Sequence, residues 1–325
     1  MPNEPRPTVR ALPLPLGVAA ALVAGAAMPV QGRVNGALAT EIGSGLGAAV
    51  VSFGTGLIVL AVVVASTRLG RRGLRDMPGH VRNGDFPWWY MLAGLGGAYF
   101  VLGQGLAVTL LGVALFTVAN VAGQILSGIV ADRIGFGPGG PRPVSSERFV
   151  GAMLALAGVV WAVWPTLSGA GVSWATVGPM LLPLSAGVLT GFQQAMNGTQ
   201  TRYYGNPLPA TFFNFAVGSA ALGAAFLAAL PFTGAPAPLP SDWWMYTGGL
   251  LGIVFIAAGA VLVRWFGVLV TSLGLIAGQL AGSLAMDLVA PVAGARMDLA
   301  TVLGTALALI AVVVASAPRA GLRFR

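Results

Sequence analysis

QGRVNG at residues 31–36 and QQAMNG at residues 193–198 are two versions of one six-residue phrase, separated by 162 positions. At that offset residues 31–56 lie over residues 193–218. Gln31, Asn35, Gly36, Gly43, Phe53 and Gly56 then fall on Gln193, Asn197, Gly198, Gly205, Phe215 and Gly218. A second register, offset by 155, lays residues 88–132 over 243–287. It pairs Trp88-Trp89 with Trp243-Trp244, Gly123-Gln124 with Gly278-Gln279, and Asp132 with Asp287. Aliphatic coincidences mean little in a chain this rich in Ala, Gly, Leu and Val. Aligned Trp pairs, amides and acids are much harder to obtain by accident, and they identify an internal duplication.

What is duplicated is a set of membrane spans. The chain is 56% hydrophobic and only 8% charged, with a mean hydropathy of +0.84, whereas soluble domains carry roughly a quarter of their residues as charges. So few polar groups cannot cover a water-exposed surface, so lipid is the solvent for most of the exterior. Apolar windows near the length of one span fall at about 12–32, 46–66, 88–107, 110–131, 149–166, 177–197, 208–230, 243–262, 267–289 and 299–317. The charge-free stretch 88–131 is twice a span and reads as a tight helical pair. The N-terminal run imitates a secretory signal, with Arg6 and Arg10 ahead of it and Ala24-Gly25-Ala26 within it. It continues into residues that recur in the second half, so it reads as retained structure.

The expected fold is therefore an all-α integral membrane protein of about ten transmembrane helices. Residues 1–166 form one five-helix repeat and residues 167–325 the other. With the N-terminus placed in the cytoplasm, every arginine except Arg33 and Arg296 falls on the cytoplasmic side, and there is no lysine. That bias supports both the orientation and the span count. It also accounts for the net charge of +8 without a nucleic-acid partner. An odd number of spans per copy inserts the second copy in the opposite sense. Inverted-topology repeats are a hallmark of secondary transporters, whose solute site lies at the repeat interface near the midplane.

The candidate site residues are the intramembrane polar groups that recur. Gln31 and Asn35 are four apart and share a helical face, and Gln193 and Asn197 repeat the pattern. Amides offer donors and acceptors without the penalty of a buried ion, which suits a polar or zwitterionic solute. Interhelical hydrogen bonding alone is the competing reading. Gln124 and Gln279 each follow a glycine and precede an aspartate by eight residues, as on one wall of a cavity or at a small-residue crossing. Asp132, Asp287 and Arg33 are candidates for a gate or coupling role. Asp132 has Arg133 as its solvated neighbour, Asp287 has Arg296 as its expected partner, and Arg33 is placed to reach the outer interface. Trp88, Trp89, Trp243 and Trp244 read as interface anchors.

Other classes find little material here. Cysteine is absent and His80 is the single histidine, so thiolate chemistry, cysteine metal sites and histidine triads have nothing to be built from. Neither an enzyme constellation nor a Walker motif is present, and no cofactor or metal is expected. The quoted residues together resemble the drug/metabolite transporter superfamily, specifically its YdcZ-like branch of inner-membrane exporters, over essentially the whole chain. The resemblance implies a fused five-plus-five bundle in a bacterial inner membrane, with both termini cytoplasmic and alternating access between the halves. The small multidrug exporters of that superfamily use a membrane-embedded glutamate in their first helix. No span predicted here carries an acid at its middle, which argues against proton-coupled cation export by that route. The expected function is secondary transport, as an exporter of a small metabolite or drug-like solute. The alternative is a non-transporting scaffold or a lipid-handling accessory protein. The expected partners are the bilayer and the solute, and a homodimer is compatible with the sequence.

Overall fold

The computed structural model describes residues 13–137, 140–141, scattered positions between 146 and 164, 174–289 and 299–316. Among these residues all regular structure is helical. Five helices are long and apolar enough to cross a membrane: Pro15–Ile42, Gly45–Ser66, Trp88–Leu111, Val113–Ala131 and Leu208–Thr233. Shorter apolar helices include Gly248–Gly259, Gly274–Val289 and Val302–Ala311. The expected repeat boundary at 166/167 falls outside the described residues, as does most of the expected span 149–166.

Helix α1 (Leu14–Ile42) has a proline in its first turn, where a missing N–H costs nothing. It stops at Gly43, whose left-handed φ of 66° glycine adopts without steric cost. The helix thus runs ten residues past the expected end of the first span, so Gln31 and Asn35 lie within it rather than near its end. Helix α2 (Gly45–Ser66) follows directly, with Ser44 Oγ accepting from Gly47 N at 3.0 Å. The stretch 67–87, expected as a polar connection, contains a further helix, α3 (Arg68–Arg82). Thr67 Oγ1 caps it by accepting from Gly70 N at 3.1 Å. Gly70 and Gly73 are buried while Arg68, Arg71, Arg72 and Arg75 are exposed, a helical spacing of small and basic residues that counting polar residues overlooks. A 3-10 turn, Trp88–Ala93, leads into α4 (Gly94–Leu111). Gly112, at φ 77° and ψ 165°, separates α4 from α5 (Val113–Ile134), which bears out the tight pair read from 88–131.

The second half contains α6 (Trp174–Tyr204), α7 (Leu208–Thr233), α8 (Gly248–Val289) and α9 (Leu299–Ser316). The 42-residue run of α8 is not one straight rod. Gly252 packs on Gln31 and Gly278 on Leu22. Gln31 and Leu22 are about 14 Å apart along α1, while 26 residues of straight helix would span about 39 Å. The chain therefore folds back between residues 259 and 274. Its first limb runs antiparallel to α1, with Gly248 at Asn35 and Gly252 at Gln31; its second runs parallel, with Gly274 at Ala21 and Gly282 at Ala26. The apolar windows 243–262 and 267–289 overlap these limbs, whose apolar helical parts are Gly248–Gly259 and Gly274–Val289.

The halves meet through the residues that recur. A Cβ on Gly25 would lie 3.0 Å from the Cα of Gly278, and one on Gly123 would lie 3.0 Å from the Cα of Gly187. Each contact maps onto the other under the two offsets. Likewise the rings of Phe53 and Phe215 pack at 5.0 Å between centroids, each resting on the other motif's glycine. A Cβ on Gly56 would lie 2.7 Å from Phe215 Cδ1, and one on Gly218 would lie 2.6 Å from Phe53 Cδ1. Residues 53 and 56 thus face 218 and 215 in reverse order, so α2 and α7 cross antiparallel. Large apolar side chains such as Val23, Ile58, Val62, Leu110 and Phe232 point outward, while buried glycines and amides lie among the apolar side chains of the interior. This distribution is the one expected where lipid surrounds the bundle.

A candidate solute site between the halves

Three groups of buried amides lie along the junction. In the first, Gln104 of α4 donates through Nε2 to Met28 O at 3.3 Å and accepts at Oε1 from Asn35 Nδ2 at 2.9 Å. The backbone carbonyl fixes the sense of this chain, since it can only accept. Asn35 must then turn its Oδ1 away from Gln104, toward Gly248 and Ser52. Asn35 Oδ1, Gln31 Oε1 and Ser52 Oγ are all buried without a hydrogen-bond partner.

The second group is closed. Gln193 Nε2 donates to Asn214 Oδ1 at 2.6 Å, and Asn214 Nδ2 donates to Asn197 Oδ1 at 2.6 Å and to Ala210 O at 2.8 Å. Asn214 occupies the repeat position of Ser52, so one substitution converts an open cluster into a completed chain. In the third group, Gln124 Nε2 of α5 donates to Gln279 Oε1 of α8 at 3.2 Å. The two glutamines that the duplication equates are thus direct partners.

Beside this third group α1, α4, α5 and α8 border a narrow cleft of about 10 Å³, the room of a single water. Gln104, Thr117, Asn120 and Gln279 supply its polar lining, and Phe100 and Phe116 its rings. Asn120 is 1% exposed, and its Oδ1 is buried without a hydrogen-bond partner. Gln279 Nε2 is also buried and unpaired. A buried unmade hydrogen bond typically costs about 1–3 kcal/mol, so these open groups call for a polar partner, for which the cleft has the room of a water.

Of the six amides singled out in the sequence, Gln279 lines the cleft, Gln124 is one hydrogen bond from it, and Asn35 reaches it through Gln104. Gln31 packs on Gly252 one turn away, while Gln193 and Asn197 belong to the closed group. The duplication could not reveal Gln104 and Asn120, whose counterparts are Gly259 and Leu275. Asn120 nonetheless stands four residues before Gln124 on the same face.

The candidates for gate or coupling resolve differently. Asp287 accepts from Val113 N at 3.2 Å and Ala114 N at 2.7 Å. It ends its own helix but caps the start of α5, where a carboxylate satisfies orphan N–H groups and favours the helix dipole. Arg33 adds attraction to the same carboxylate through space. Arg296, the partner expected for Asp287, lies outside the described residues, as does the side chain of Asp132.

The family model described as "Putative inner membrane exporter, YdcZ" matches residues 16–161 and 178–314, one segment in each half. A solved structure titled "Crystal structure of protein" superposes with a TM-score of 0.57 at 19% identity, covering 93% of this chain and 96% of that one; this likeness speaks to the fold. No curated protein matches the chain.

Proposed function

The chain belongs to the YdcZ family of inner membrane exporters, and from that premise we propose that it is a secondary carrier moving a small solute by alternating access between two inverted repeats. The membrane assignment and the transporter class come with the family. The mechanism is inferred from the junction: the observation that carries it is the cleft at the meeting of α1, α4, α5 and α8, with unpaired amides from both halves at its wall. The antiparallel crossing of α2 on α7, and the Gly25–Gly278 and Gly123–Gly187 contacts exchanged between halves, support opposite insertion of two five-span units. Pivots of this kind allow one half to rock on the other around a fixed site. Gln31, Asn35, Gln124 and Gln279 would form or support the solute pathway, and Gln193 and Asn197 would brace the opposite wall. Both termini and α3 would face the cytoplasm, following the arginine bias. No nucleotide-binding motif or catalytic constellation points to primary transport or to an enzyme.

Absence of cysteine from the sequence makes a direct test available. A Thr117→Cys variant in membrane vesicles should react with a membrane-impermeant thiol reagent from either face, in proportions that shift when a transported solute is added. A thiol reachable from neither face, or labelling that responds to lipid composition and to no solute, would favour a scaffold or lipid-handling role.

A further inference from the structure

We propose that the arginine face of α3 is a docking surface for anionic phospholipid, holding the headgroup phosphate of a lipid such as phosphatidylglycerol. The inference goes beyond the carrier reading and does not depend on it. At 3.6 residues per turn, Arg68, Arg71, Arg72, Arg75 and Arg82 fall within roughly 100° of arc on one side of the helix, and all five are exposed. The opposite side carries Gly70 and Gly73, both buried. Gly70 packs on Val64 near the end of α2, and Gly73 packs on Pro209 at the start of α7. So close a seat turns the arginines away from the bundle. Orienting the spans requires only that cations lie in the connection, in any conformation. Gathering them on one face of a helix goes further and builds a surface.

The depth of that face follows from its flanks. Helix α3 lies between two consecutive apolar segments, Gly45–Ser66 and Trp88–Leu111, so both ends of the connection lie at one membrane boundary. Trp88 and Trp89, 65% and 40% exposed, suit that interface. Arg71 donates to Ala65 O at 2.5 Å, in the last turn of α2, so its guanidinium sits at the level where the apolar span ends. Leu69, beside it, is also exposed. Arg72 meets Asp76 at 3.6 Å, an exposed pair of the kind that contributes little. His80 lies off the face and is joined to Asp85 at 2.6 Å. Among the described residues, Asp76 is the one acid in ion-pair contact with these arginines, so the face is strongly cationic. Each guanidinium presents a fork of donors that fits two phosphate oxygens, and basic clusters on amphipathic helices beside a span attract anionic lipid.

The chain has no cysteine, and Gly79 lies within the same arc with nothing within 4 Å of an added Cβ. A bimane on Gly79→Cys, in the full-length protein in phosphatidylcholine nanodiscs, therefore reports on the lipid beside the arginines. Phosphatidylglycerol or phosphatidylcholine carrying a doxyl group high on one chain is titrated in, and the mole fraction for half-quenching is read. It should be at least about 5-fold lower for phosphatidylglycerol, the effect of a single arginine at a charged surface. The gap should narrow as salt rises from about 50 to about 500 mM. Combining Arg68→Gln, Arg72→Gln and Arg75→Gln should bring the two lipids together at an unchanged thermal midpoint, since glutamine is as good a helix former. Should the triple variant fail to fold, Arg75→Gln alone should narrow the gap in the same direction. Equal quenching by the two lipids in the parent, or a preference that survives the triple variant, would overturn the proposal. Weak quenching by both lipids with ready quenching by aqueous iodide would also overturn it, by placing the face in water toward a soluble acidic partner. None of these outcomes touches the carrier reading, and failure of the thiol-accessibility test at Thr117 would leave the lipid surface standing.

Discussion

Substituting alanine at Gly218 puts a methyl group where Phe53 already sits. The new Cβ would lie 2.6 Å from Phe53 Cδ1, against the 3.5–4.0 Å at which carbon atoms rest, so the ring must retreat by about 1 Å. It has nowhere to go. Phe215 packs on it at 5.0 Å between centroids, and α4 backs it at Gly97, where a Cβ would lie 3.4 Å from Phe53 Cζ. Overpacking of this kind costs about 1–3 kcal/mol. It is partly masked by the gain of about 1 kcal/mol when alanine replaces glycine in a helix. The control is Gly223→Ala on the same helix, where nothing lies within 4 Å of the new methyl and only the helical gain remains. In equilibrium unfolding from mixed micelles, Gly218→Ala should fall about 1–3 kcal/mol below Gly223→Ala. Gly56→Ala should show the same deficit against Gly54→Ala, since residue 54 is also open. Phe53→Leu in the Gly218→Ala background should recover part of the loss, with a coupling of about 0.5–3 kcal/mol. If Gly218→Ala and Gly223→Ala unfold together, or Phe53→Leu brings no recovery, the reciprocal contact does not hold the halves together.

The remaining predictions concern the polar groups and orientation. Asp287→Ala should cost about 0.5–2 kcal/mol by uncapping α5, seen as a lower thermal midpoint, while Asp287→Asn should retain part of the cap. Repeat-equivalent positions 52 and 214 should behave oppositely. Asn214→Ser breaks the chain from Gln193 to Asn197 and should lose about 1–3 kcal/mol, whereas Ser52→Ala removes an unpaired hydroxyl and should be neutral or stabilising in the same unfolding measurement. With no native cysteine, Arg75→Cys should be labelled only from the cytoplasm and Ala235→Cys only from outside; the reverse pattern would invert the proposed topology.

Much of this arrangement could be read from the sequence because the duplicated residues are the contact residues. Phe53 and Gly56 recur as Phe215 and Gly218 because each pair is the other's surface. Gly123-Gln124 and Gly278-Gln279 recur because the glycine permits a close crossing and the glutamines meet. Identity at a fixed offset detects only what both halves kept. Asn214 was hidden opposite Ser52, and Gln104 opposite Gly259, although both are buried amides in apolar helices. Helix α3 was missed for another reason. Its inward face is made of Gly70 and Gly73, which carry no hydropathy, so the spacing that buries them is silent in a hydrophobic pattern. The role of Asp287 required a contact 174 residues away, between two helix ends that no local rule connects.

Duplication followed by unequal divergence gives the two halves different work. Gln193, Asn197 and Asn214 are joined to one another by two hydrogen bonds, so their group contributes rigidity. The matching positions Gln31, Asn35 and Ser52 end in a short hydroxyl, and three of their oxygen atoms are left unpaired. Asn35 is tied through Gln104 to the same cleft that Asn120 and Gln279 line. A structure in which both clusters were linked in this way would be more stable. One in which both were open would bear the desolvation of twice as many polar atoms. The two motif clusters thus differ at one repeat position, Ser52 against Asn214, a difference that a fused pair of repeats permits and a symmetric dimer of identical halves does not.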